Sequence, residues 1–544
     1  MAAWRRLISA SNKFTGTLHP DFVLSWYNNY RHHFEPLLFV GYAESNSVIG
    51  LMPLAVEKQT KRLTFAGDNQ AEYNGWLADR DYELEFPVKV AITCFSEYGI
   101  SDWQWKWLTP GSKIDFTNNK QLRDSNIHVH IEKIQAPIID LTDDLHIEKK
   151  SKRKSLKNNV NRLNKMGTLS FNRIEERGKF SAFGAELSSY YDLVKAAKLG
   201  ITPFATDKHK FNFFSDRVAE TESCHCTFLQ LNNNLLAANY GLSDSNRVLL
   251  GLYVYNPFYQ RYSPGTIMLV RLARLLRAQG YTILDLTPGA EPYKWAFANS
   301  AQELYRIRFC KNQQLVLLLK AKSLAKSVFL RYLQPLPIYK KIIKNAYNKC
   351  SALLSTIKNG FYKTRRYTYY FYDLNNLSAA FDRAQSTLVN KNQSGDLLLY
   401  RKTDGGVDVP QFVSRGLSRL NNGDSLYSIV KENRLTHSGW AAKISQSHPL
   451  SNVPAILEVP KNSVLLYDFV TDSEYRRQGL YTENIITILA ESRATGSDYA
   501  FIAVNDKNFA SKRAIENTGF KKYKQYAHTR FIFKDYVRMD GIEQ

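Results

Sequence analysis

The sequence predicts an α+β fold, built from mixed, mostly antiparallel sheets flanked by helices, on three observations. Apolar residues alternate between strand-like and helix-like periods along the chain, short turn-forming clusters separate the segments, and the composition is 44% apolar with only 17 Pro. At 544 residues the chain exceeds one ordinary core, and three units of about 100–200 residues are expected.

The elements follow in order. A helix over Asp21 to Tyr30 precedes paired strands at Leu37 to Tyr42 and Val48 to Val56, with Ser45, Asn46 and Ser47 as the turn. Residues Lys149 to Lys165 carry eight Lys or Arg and no acid, with Leu156, Val160 and Leu163 at helical spacing, so one basic amphipathic helix is expected. Beyond Gly167 the pattern gives a strand to Ile174, a helix at Leu187 to Leu199, and strands near Cys226 to Leu231, Leu235 to Leu242 and Val248 to Tyr255. A helix at Gly265 to Gln279 and a strand at Thr282 to Leu286 complete this part. From Lys320 to Arg366 there are twelve Lys or Arg and no Asp or Glu, broken by Gln334 to Pro337, which reads as a basic helical connector. The last run predicts strands at Leu397 to Lys402, Ala455 to Glu458 and Val464 to Val470, a helix at Tyr481 to Arg493, a strand at Tyr499 to Val504 and a helix at Ala510 to Thr518. The expected domains are therefore 1–147, 148–319 with the basic helix leading, a connector 320–385, and 386–544.

A net charge of +23 favours anionic partners: coenzyme phosphates, acidic lipid, nucleic acid or sugar phosphates. Five cysteines without framework spacing suit a reducing compartment. The N-terminus lacks a signal-peptide core, and runs such as Leu315 to Leu319 fall far short of the ~20 residues of a membrane span. A cytoplasmic protein is expected, either with its basic connector resting on the inner face of an anionic membrane or with that connector as a solvated helix pair. Cys224, His225 and Cys226 lie too close together for a usual zinc pair, so no metal is expected. His32 and His33 have no matching nucleophile, and no P-loop or GxSxG elbow is present.

The most informative stretch is Val464 to Tyr523, where a strand enters a Gly-containing turn that opens a helix. Helix N-terminal N–H groups attract an anion such as a pyrophosphate, Gly479 permits close approach, and Arg476 and Arg477 add charge. Arg476, Arg477, Gln478, Gly479, Leu480, Tyr481 and Thr482 resemble the pyrophosphate loop of GNAT acyltransferases, with Tyr481 replacing the family's small residue. Asn508, Ser511, Gly519 and Phe520 fall at the spacing of that family's second motif. The resemblance, over about 60 residues, implies acetyl-CoA or another acyl-CoA as co-substrate. It also implies that Phe469 and Val470 meet the pantetheine arm and that Asn508 and Ser511 contact the coenzyme. The family's Tyr acid is replaced by Ile515, leaving Tyr523 and Tyr526 as substitutes, and Asp468 is either the base or a solvated surface residue.

A second constellation is Tyr262, Ser263, Pro264, Gly265, Asp285, Gly289, Glu291, Tyr293 and Lys294, in strand, turn, helix, strand order. It resembles the CelD/BcsL-type acetyltransferases of cellulose and exopolysaccharide biosynthesis, relatives of the FemABX peptidyltransferases, and the resemblance spans roughly Phe14 to Phe309. The resemblance implies paired GNAT-like folds, hence three such units in all, with Tyr262, Ser263, Gly265, Asp285, Glu291, Tyr293 and Lys294 at the substrate site. A structural ion-pair network among the charged members is the alternative. Asp68, Glu72, Tyr73 and Asn74 either line the cleft or form a plain turn. The function implied is acyl-CoA-dependent transfer to an amine, an amino sugar or a glycan or lipid-linked envelope precursor. Aminoacyl transfer from tRNA and a non-catalytic coenzyme-binding scaffold remain open beside it.

Overall fold

The computed structural model describes residues 1–68, 70–219, 222–328, 362–376, 388–403, 406–449, 455–531 and 534–540. Within it the chain forms two compact units, Met1–Tyr191 with Pro203–Leu333, and Asp192–Thr202 with Gln334–Gln544. The fold is α+β, with mostly antiparallel sheets.

In the first unit, Phe34–Tyr42, Val48–Glu57 and Leu63–Phe65 pair in sequence as an antiparallel sheet. A five-stranded sheet runs Arg247–Leu249, Ile283–Asp285, His128–Asp140, Ser300–Cys310, Asp102–Trp107. Strands from both sides of the expected boundary at residues 147 and 148 thus share one sheet. A third sheet orders Leu252–Tyr255, Asn234–Leu242, Cys224–Leu231 and Leu169–Arg173. The helix Pro264–Ala278 starts with Pro in its first turn, where the missing N–H costs nothing. It buries Ile267, Met268, Leu272 and Leu276 in a core shared with Leu284 and Leu286.

The single basic helix expected over Lys149 to Lys165 is two, Asp144–Ser151 and Lys154–Asn164, broken where Arg153 takes an extended ψ of 127°. Leu156 and Leu163 are buried as the periodicity requires.

The second unit contains an eight-stranded sheet: Asn390–Lys391, Ser425–Lys431, Arg434–Ile444, Ser463–Thr471, Tyr499–Asn505, Tyr362–Asp373, Lys521–Phe531 and Lys534–Asp540. Two expectations fail here. The connector is not helical throughout: Gln313–Val328 is a helix, residues 329–361 lie outside the described residues, and Tyr362–Asp373 is an interior strand. Its aromatic alternation suits a pleated surface, with Tyr369 packing on one face and Tyr370 on the other. The strand expected at Leu397 to Lys402 is instead a 3-10 helix, Ser394–Leu399, because a short apolar run has no period of its own to choose between the two.

Candidate active site

The C-terminal sheet holds a fork. Ser463–Thr471 and Tyr499–Asn505 pair in parallel only from Ser463↔Tyr499 to Leu466↔Ile502, and both strands then run on unpaired with each other. On its other side the first of these strands is bulged: Trp440 faces Tyr467 and Ser438 faces Val470, so Asp468 and Phe469 oppose Gly439 alone. Asp468 sits there at φ 49°, and a Cβ on Gly439 would come within 2.6 Å of the Phe469 ring.

The fork opens onto the loop before the helix Leu480–Ala494. Gly479 is its N-cap at φ 78°, and no atom lies within 4 Å of where its Cβ would stand. Arg476, Arg477 and Gln478 are exposed around it, while Leu480 turns inward and Thr482 is half-buried. The loop is clamped from behind: Arg434 binds Asp472 through Nε and Nη2 at 2.6 and 2.9 Å, and Glu474 at 2.5 and 3.0 Å. Asp472 also accepts from the Glu474 N–H.

Tyr481 packs on Phe469 at a centroid distance of 4.9 Å, with Ser511 near its hydroxyl. Burial pushes that hydroxyl up to about 12, against a smaller lowering by Ser511. Asn508 spends its side chain on the helix Phe509–Asn517, accepting from the Ser511 N–H at 3.2 Å. Val470 lines the same strand, half-buried.

Sequence reasoning missed His437, which had no motif around it. It is buried, its Nδ1 shares a hydrogen bond with Thr471 Oγ1 at 2.8 Å, and its Nε2 has no partner among the described residues. Burial pushes its pKa down to about 3.

The proposed proton carriers are dispersed. Asp468 is exposed and ion-paired to Arg419 at 2.6 Å. Tyr523 donates to the Glu458 carbonyl at 3.0 Å, and Tyr526 is buried edge-on to Tyr369. Both belong to the strand Lys521–Phe531, separated from the fork by Tyr362–Asp373. They pack with the cluster on the face away from the two helices, whose residues Ile485, Ile488 and Ile515 fill the other cluster. Ile515 is fully buried, so the position where the family resemblance places a Tyr points into the core.

In the first unit the second constellation closes on a buried carboxylate. Asp285 is fully buried, and Tyr73 donates to both its oxygens at 3.0 and 2.9 Å. Arg247 Nη1, Gln302 Nε2 and the Thr287 N–H complete the set at 2.8, 2.6 and 2.8 Å. Lys294 is buried too, donating to Thr287 Oγ1 at 3.0 Å, with Glu291 at 3.5 Å. Tyr293 stacks on Tyr253, whose hydroxyl donates to the Gly265 carbonyl, and burial raises both hydroxyls. Ser263, at φ 53°, caps the helix without a side-chain bond, and Tyr262 lies half-buried under Arg261. Within the polar loop, Tyr73 reaches Asp285, and Asp68 accepts from Thr64 and Arg62. This constellation is a satisfied network that holds the loop from Thr287 to Lys294.

Among the described residues no group of three His, Cys, Asp or Glu could hold a metal ion.

Residues 150–295 match the family model described as an acetyltransferase (GNAT) domain, so this part of the chain is similar to GNAT domains. The matched span contains Arg247 and the constellation from Tyr262 to Lys294, while Tyr73 and Gln302 of the same network lie outside it. No curated protein matches the chain. Among solved structures, FemX aligns at 11% identity over 54% of this chain and 95% of its own, with a TM-score of 0.37. The C-terminal domain of a putative lysylphosphatidylglycerol synthetase from Agrobacterium fabrum aligns at 12% identity, 60% and 95% coverage and TM-score 0.36. A tandem GNAT protein from the clavulanic acid biosynthesis pathway gives 13%, 69% and 100%, and 0.23.

Proposed function

We propose that the protein is an acyl-CoA-dependent N-acyltransferase, with acetyl-CoA as donor, and that the coenzyme binds in the fork of the C-terminal unit. The observation that carries this is the conjunction of the strand fork with the Gly479 helix start. Beyond Leu466 and Ile502 the two strands stop pairing, so their backbone groups face an open seam. The amides of a pantetheine arm pair with such a seam as an added strand would. The exposed N–H groups at Gly479, beside Arg476 and Arg477, suit the pyrophosphate at its end.

In this reading an amine attacks the thioester carbonyl and gives up its proton, directly or through water, to Asp468 at the bulge. The carbonyl carbon then expels the thiolate. Thiols ionise near 8.5, so a thiolate leaves at neutral pH with little help, and the absence of a Tyr at position 515 does not prevent transfer. The acceptor class that fits the resemblance of the central segment is an amino sugar or an envelope or exopolysaccharide precursor.

The test is calorimetric titration of acetyl-CoA into the full chain and into Gly479→Ala and Gly479→Glu. Both variants carry the same positive-φ strain, and only the second adds a repelling carboxylate. Micromolar binding kept by Gly479→Ala and lost by Gly479→Glu is the expected result. Binding indifferent to both would move the coenzyme to the matched domain at 150–295, and no binding at all would favour aminoacyl-tRNA, checked by salt-sensitive tRNA retention.

A further inference from the structure

The helix Gln313–Val328 is seated on the first unit by Val316, which is 3% exposed, yet it holds three leucines out into solvent. Leu317, Leu318 and Leu324 are 59%, 53% and 66% exposed. Between this helix and the segment 117–131 lies a cavity of about 580 Å³. Its floor is apolar, with Leu122, Val129 and Val316, and its mouth carries two cations, Arg123 and Lys320. The positive charge continues along the chain, since Lys320 to Arg366 holds twelve Lys or Arg and no acid. None of this is used by the acyl-transfer site.

We infer that this helix is a docking surface for an anionic phospholipid membrane. Exposed leucines one turn from lysines are the arrangement of a helix that lies in the bilayer interface, with aliphatic groups entering the acyl boundary and ammonium groups meeting lipid phosphates. The cavity mouth offers Arg123 and Lys320 to the same phosphodiester chemistry. Single-stranded nucleic acid would use the cations but takes its apolar contacts from aromatic platforms that stack on bases, which the exposed face of this helix does not offer. Among the described residues no helix is long and apolar enough to cross a membrane, so the contact is peripheral.

Vesicle flotation of the full chain tests this, using phosphatidylcholine with about one third phosphatidylglycerol against phosphatidylcholine alone. Partition into the anionic vesicles is expected, with a fall of about fivefold for each of Lys320→Gln and Lys322→Gln. Leu317→Asp with Leu318→Asp should lower it by at least about tenfold. Both leucines are exposed, so thermal melting should match the unaltered chain; Leu317→Ser with Leu318→Ser replaces the pair if it does not. The inference is overturned if the chain fails to float, if it floats equally with neutral vesicles, or if the leucine substitutions change nothing. It is equally overturned if an RNA duplex binds more tightly than the vesicles and only the lysines matter.

Discussion

Tyr73 and Asp285 show how much one hydroxyl can fix. The phenol reaches both carboxylate oxygens from 212 residues away and is itself wholly buried. Replacing Tyr73 by Phe strips one donor from a carboxylate that keeps Arg247, Gln302 and the Thr287 N–H, and should cost about 1–3 kcal/mol. Asp285→Ala leaves the guanidinium of Arg247, 11% exposed, without its counter-charge and should cost more, about 3–5 kcal/mol. Urea midpoints read both, and acetyl-CoA affinity should be unchanged in either. His437 makes a different prediction. Its folded pKa is about 3, below the ordinary 6.5, so the stability tied to its neutral form is complete above pH 6.5 and is lost as pH falls toward 3. A His437→Gln chain should therefore lose less stability than the parent across that window, and parallel melting curves in the two proteins would contradict the assignment.

At the scale of elements, the Arg434 clamp holds the loop 472–479 before any ligand arrives. Arg434→Gln should leave the fold intact and raise the acetyl-CoA dissociation constant several-fold, since the loop must then be ordered on binding. Gly439→Ala drives a methyl into Phe469 at the bulge and should destabilise the second unit by about 1–3 kcal/mol while weakening coenzyme binding, both measurable in one titration series. The elements around this loop were legible in the sequence because helix period, Gly turn and strand alternation agree within some 60 residues. The strand Tyr362–Asp373 was not, because a run of cations without acids suggested a solvated connector and masked its aromatic alternation. The break at Arg153 left no mark in a uniformly basic stretch. The contacts of Tyr73 with Asp285 and of His437 with Thr471 are long-range pairings that no local spacing encodes.

At the scale of the whole molecule, the two units have separate cores, and ligand binding should distinguish them. In calorimetric unfolding, acetyl-CoA at a hundredfold excess over its dissociation constant should stabilise only the transition of the unit holding Gly479, by about 2.7 kcal/mol. A shift of the other transition instead would relocate the coenzyme. The position of Tyr362–Asp373 also bears on how the protein is made. It leaves the ribosome ahead of the strands it lies between, and Thr368 meets Asp506 across 138 residues while Thr364 meets Thr529 across 165. At about 5–20 residues per second this strand waits roughly seven to thirty seconds for its partners, with both edges bare. For the same reason, a fragment started at residue 386 would be born with a gap in the middle of its sheet, and is expected to aggregate where one started ahead of Tyr362 stays soluble.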